Sequence, residues 1–185
     1  MSVKGGAEPL HDLLGRRVTL SIRRFGPPGA FLALAEDDER VILLPRSEVP
    51  AGSREGDEVP VFVHLDSDDR PIATMRAPAI ALEEVAFLTA TDVTGIGAFF
   101  DWGLLKDLLV PFAEQTRDVA RGDRHPIGLY LDNTGRLAGT MRVSEMLRSK
   151  GEFAEDEWVE GEVWRVEPSI GTFVIVERAF VGLLP

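Results

Sequence analysis

The side chains able to do chemistry are few and scattered in this sequence. Its three histidines, His11, His64 and His125, share no metal-ligand spacing. No cysteine supplies a thiolate, a disulfide or a soft metal ligand. There is no Gly-x-Ser-x-Gly elbow and no phosphate-cradling glycine loop. The run "DSDD" at residues 66–69 has part of the acid spacing of a calcium loop, but lacks its glycine and closing glutamate, so it reads as a turn. With 31 acidic residues in the chain, paired carboxylates single out no acid–base centre. The expectation is a non-enzymatic protein with no cofactor and no bound metal.

What remains is the chemistry of binding. Arginine outnumbers lysine seventeen to three, and its fork suits phosphate, although a GC-rich genome gives the same bias and is the preferred explanation. The densest basic stretch is "RRVTLSIRR", where Arg16, Arg17, Arg23 and Arg24 form either a phosphate-contact edge or the solvated side of a strand. The net charge of −11 weighs against attraction of the whole chain to nucleic acid or anionic membranes. That charge is uneven: residues 15–77 and 78–150 carry −2 each, and residues 151–185 carry −6. The N-terminal residues show no apolar signal segment, and no apolar run reaches membrane-spanning length. A cytoplasmic protein with no membrane partner is expected.

The elements that position these residues come in copies. "GDEVPVFVHLDSDDRPIATM" (56–75) and "GDRHPIGLYLDNTGRLAGTM" (122–141) share their opening Gly-Asp, an internal Leu-Asp, an Arg and a closing Thr-Met. "GAF" at Gly29 returns at Gly97, and as Gly-Thr-Phe at Gly171. Alternation at Val18, Leu20 and Ile22, and at Val61, Val63 and Leu65, reads as half-buried strands. "LDNTGRL" (131–137) and "LDSDDRP" (65–71) read as matching hairpins. Five short strands in roughly 65 residues, bent at glycines, describe an OB-type barrel. The third copy stops fourteen residues after Gly171, so the sequence is expected to end inside a domain. Val143, Met146 and Leu147 stand at helical spacing and predict a short helix over 142–150. Trp102, Trp158 and Trp164 are expected to pack in cores or interfaces.

"GAFFDWGLLKDLLVPF" and "EGEVWRVEPSIGTFVIVERAFVGLLP" resemble S1-type RNA-binding domains. With "GDEVPVFVHLDSDDRPIAT" and "YLDNTGRLAGTMRVSEML", nearly the whole chain resembles the conserved virulence factor B family, also called YitL-like: tandem S1-like domains followed by a winged helix. The resemblance implies an all-β chain of tandem five-stranded OB-fold barrels, two complete and the first half of a third. The barrels fall at residues 1–77, 78–150 (with the short helix) and 151–185. The winged helix would lie beyond Pro185.

S1 domains bind single-stranded RNA with two aromatics three positions apart, a histidine on the third strand, and an Asp–Arg pair on the last hairpin. Carried onto this sequence, the pattern implies Phe99, Asp132 and Arg136 in the second copy, Phe31, Asp66 and Arg70 in the first, and Phe173 in the third. Ile96, Pro28 and Ile170 replace the first aromatic, and Pro111, Pro45 and Pro185 replace the histidine. Phe99 is the foremost candidate platform, with Phe100 turned to the core and Lys106 beside the face. The expected function is weak, sequence-tolerant binding of single-stranded RNA and regulation of bacterial gene expression. The rival expectation is a scaffold that binds protein partners, with nucleic acid held by the C-terminal domains.

Overall fold

The computed structural model describes residues 10–35 and 39–185. These residues form thirteen β-strands and four single 3₁₀ turns, with no α-helix among them. The expected all-β architecture of tandem OB-type barrels is the one observed. The residues group into two compact units: those up to Pro78 with Asp132–Leu137, and Ala79–Leu131 with Ala138–Pro185.

In the first barrel, β1 (Arg17–Gly26) is antiparallel to both β2 (Gly29–Ala33) and β4 (Glu58–Leu65). β3 (Ile42–Pro45) runs antiparallel to β2 and meets β5 (Pro71–Thr74) in parallel, which closes the barrel in the order β1-β2-β3-β5-β4. Every second residue faces inward, as the pleat dictates. Leu20, Ile22, Leu32, Ile42, Leu44, Val59, Val61 and Val63 fill the core. The long first strand serves two neighbours only by bending, and a bulge between Ile22 and Arg24 supplies the bend.

The second barrel repeats the plan with β6 (Val85–Thr94), β7 (Gly97–Asp101), β8 (Leu108–Pro111), β9 (Arg124–Leu131) and β10 (Leu137–Thr140), in the order β10-β9-β6-β7-β8. Its first strand bulges at the same place, between Ala90 and Asp92. The third copy is a three-stranded sheet of β11 (Gly161–Glu167), β12 (Gly171–Val176) and β13 (Phe180–Leu184), bulged between Val163 and Arg165. Val163 is 55% exposed, whereas Ile22 and Ala90 at the matching register are 1% and 2% exposed.

The repeated glycine of "GAF" has a steric cause. At Gly29, Gly97 and Gly171 φ is +151°, +151° and +138°. A Cβ there would stand 2.0–2.3 Å from the carbonyl oxygen of Leu44, Val110 or Leu184 on the next strand. The repeated threonine before methionine ties the last strand of each barrel to the turn after its third strand. Thr74 Oγ1 donates to Glu48 Oε2 and Thr140 Oγ1 to Glu114 Oε2, each at 2.6 Å. Each glutamate lies in the single turn that follows the third strand of its barrel.

Two expectations are corrected. The helix over 142–150 is one 3₁₀ turn at Val143–Glu145. Val143, Met146 and Leu147 do gather on one side, in a cluster with Val85, Ile175, Phe87 and Trp164. The turn does not propagate because Arg148 pairs with β13 instead, its N–H donating to Ala179 O and its carbonyl accepting from Val181 N–H. Trp158 is 98% exposed rather than packed. It precedes β11 in a stretch, 151–160, that is exposed throughout.

Candidate nucleic-acid interface

The outer face of the second strand carries the same slot in all three copies. The pleat turns Phe31, Phe99 and Phe173 outward, half-buried, while the following Leu32, Phe100 and Val174 are buried. The bulge in each first strand sets what lies opposite. Phe31 is registered against Arg24 and Leu43, Phe99 against Asp92 and Leu109, and Phe173 against Arg165 and Leu183.

That single register position decides the chemistry of each slot. The Arg24 guanidinium lies 3.8 Å from the Phe31 ring centroid, a cation–π contact. Arg165 lies 4.5 Å from the Phe173 centroid and 4.9 Å from that of Trp164. The Phe99 slot is acidic instead: Asp92 faces it, Asp101 follows on the same side of β7, and Asp107 accepts a 2.7 Å hydrogen bond from Thr91, whose hydroxyl oxygen lies 3.2 Å from Phe99 O. Phosphate is repelled by such a site and attracted to the other two.

The hairpin pairs are mostly committed within the protein. Asp66 Oδ2 takes Arg70 Nε at 2.9 Å and a second guanidinium nitrogen at 2.8 Å, and that nitrogen also lies 2.9 Å from Asp68 Oδ2. Asp66 Oδ1 caps the turn by accepting the N–H groups of Asp68 and Arg70. Burial pushes the Asp66 carboxyl up, but these hydrogen bonds outweigh it and hold the group below its ordinary value. Asp132 is held low mainly by the Thr134 hydroxyl, which donates to it at 2.6 Å. Arg136 does not fork onto Asp132: its backbone N–H donates there, and its guanidinium pairs with Asp69. Sequence spacing suggested the i,i+4 pair in both hairpins, and only the first forms it through the side chain. Lys106 is exposed in the β7–β8 connection, where its carbonyl accepts the Trp102 indole N–H at 2.8 Å and helps keep Trp102 buried.

The cation over the platform is the feature the sequence reading missed. In the sequence Arg24 stands out only as part of a basic stretch, and Arg165 does not stand out at all. The signal exists, since each lies one residue past the bulge in its first strand. It is usable only when the bulge is known. Among the described residues, no three His, Asp or Glu side chains gather where they could hold a metal ion.

Three similarities to known proteins follow this geometry. Residues 14–76, the first barrel, match the family described as S1 domain. The chain is 34% identical to the uncharacterized protein YitL of Bacillus subtilis (strain 168), in a match that covers 90% of this chain and 59% of that protein. It resembles the crystal structure of a multidomain protein with nucleic acid binding domains from Streptococcus pneumoniae TIGR4, with a TM-score of 0.59 and 21% identity, over 93% of this chain and 62% of the other. The chain thus spans about three fifths of the length of both.

Proposed function

We propose that this chain is a non-enzymatic RNA-binding protein of the conserved virulence factor B family, acting in the bacterial cytoplasm to regulate gene expression. The observation that carries the reading is the Arg24–Phe31 slot on the barrel that matches the S1 domain family. The planar guanidinium over the ring offers a stacking face to any base and donors to phosphate, so the slot suits single-stranded RNA with little sequence preference. The nucleic acid binding domains named for the S. pneumoniae structure agree with this reading. Phe173 with Arg165 forms a second slot of the same kind. Phe99, ranked first on sequence grounds, is the weakest platform because Asp92 faces it. Arg70 braces its hairpin and Arg136 is paired with Asp69, so both contribute less than their spacing suggested. Several weak slots on one chain gain by effective concentration.

The test is the salt dependence of binding to a fluorescent oligo-U strand. Contacts to phosphate make affinity fall steeply with salt. Measurable binding at low salt that weakens at least tenfold between roughly 50 and 200 mM salt supports the reading; no binding at low salt rejects it.

A second reading has its own observation. The acidic Phe99 slot, with exposed Ile96 and Phe112 nearby in sequence, suits a basic or apolar protein segment better than RNA. On that reading the second barrel is a protein-interaction module, and the first alone carries nucleic acid.

A further inference from the structure

The unit formed by Ala79–Leu131 and Ala138–Pro185 holds a cavity of about 440 Å³, within the size range of small-molecule sites. Four arginines line it: Arg117, Arg124, Arg142 and Arg165. Glu145 is the single acidic residue in the lining. In a chain of net charge −11, this gathering of like charge needs a reason. The arginines come from four separate stretches, so no single strand pattern produces it.

Three of the four are steadied without being used up. Arg124 pairs with Glu162 and lies 5.2 Å from the Phe87 ring centroid. Arg142 donates to Ala113 O at 3.0 Å, with its Nε 3.9 Å from Glu114. Arg165 is 3.6 Å from Glu167 and lies over Trp164. Each guanidinium has five N–H donors, so each keeps donors to offer. Arg117 has no ion-pair partner among the described residues.

His125 also lines the cavity, and its Nε2 is buried with no hydrogen-bond partner among the described residues. Asp123, at 3.7 Å, is too far to satisfy it. Buried polar atoms are rarely left unpaired. Trp164 and Phe87 supply the aromatic part of the lining.

From these residues we infer that the cavity is a binding site for a free nucleoside diphosphate or a nucleotide of similar size. The guanidiniums hold the phosphates, and the base lies against Trp164 and Phe87. Forked guanidinium donors match phosphate oxygens, and an aromatic lining matches a base. The site shares Arg165 with the Phe173 slot but is separate from the Phe31 slot and does not depend on RNA binding there.

The test is calorimetric titration of the full chain with ADP, GDP and CDP, and in separate arms with adenosine and with inorganic phosphate. The expected result is saturable, one-site binding of at least one diphosphate, with adenosine and phosphate at least tenfold weaker. Arg117→Ala, at an exposed side chain, should weaken that binding at least tenfold with an unchanged melting temperature. Arg142→Lys, which keeps the charge but loses the fork, should weaken it too, and Phe31→Ala should leave it within twofold. No diphosphate binding up to millimolar concentration overturns the proposal. So does binding that both arginine variants leave intact, or inorganic phosphate binding as tightly as the diphosphate.

Discussion

Arg24 covers Phe31 from one residue past a bulge in the first strand, and Asp92 holds the same register position opposite Phe99. One position in a repeated frame therefore makes one slot attractive to phosphate and the other repellent.

Reversing that position should convert the acidic slot. Asp92→Arg places a guanidinium against Phe99 and is expected to tighten oligo-U binding severalfold. It should also steepen the dependence of log affinity on log salt by about one, as one added phosphate contact does. Fluorescence anisotropy at several salt concentrations measures both.

The "GAF" glycine should be intolerant of any side chain. Gly29→Ala forces a Cβ to within 2.0 Å of Leu44 O at φ +151°, so the strand pair must separate. The expected loss is about 2 kcal/mol or more, from backbone strain added to the clash. Gly52→Ala, with φ +82° but open space around it, should cost about 1 kcal/mol. Urea unfolding of the two variants separates the clash from the φ penalty alone.

Much of this frame was legible in the sequence, for local reasons. The Thr-Met repeat, the two Asp-led hairpins and the alternating apolar strands each report an element through its own residues. β4 ends at Leu65 and β5 starts at Pro71, around the turn that "LDSDDRP" announced. What stayed hidden depends on neighbours distant in the chain. Nothing around Val143 says that Arg148 will pair with β13 and stop the helix. Nothing around Trp158 says that it will stand exposed. The Arg24–Phe31 contact was hidden because a one-residue bulge changes which side chains meet across a strand pair.

The buried threonine latches should contribute to stability equally in the two barrels. Thr74→Val leaves Glu48 without the hydroxyl it accepts from at 2.6 Å, and Thr140→Val does the same to Glu114. Each should cost about 1–2 kcal/mol in chemical denaturation, the usual effect of stranding one partner of a partly buried hydrogen bond. Serine at either position keeps the hydroxyl and should cost less than valine.

Acid should loosen the hairpins. Asp66 and Asp132 have lower pKa values folded than unfolded. Groups of that kind stabilise the fold above the unfolded pKa, near 4, and lose the contribution as pH falls through the folded value. Asp66→Asn and Asp132→Asn should therefore lower the melting temperature at pH 7. As the pH falls through the folded values, the difference between wild type and variants should shrink.

On the proposed function, the first barrel's outer face, with Phe31 under Arg24, is the main RNA contact. Affinity for a fluorescent oligo-U strand, measured side by side for Phe31→Ala and Phe99→Ala in folded protein, tests it directly. Loss of a base-stacking ring is worth about 1–3 kcal/mol, so Phe31→Ala should weaken binding roughly five- to hundredfold, and Phe99→Ala by less than twofold. Equal affinity of wild type and Phe31→Ala, or a larger loss at Phe99, would contradict the account.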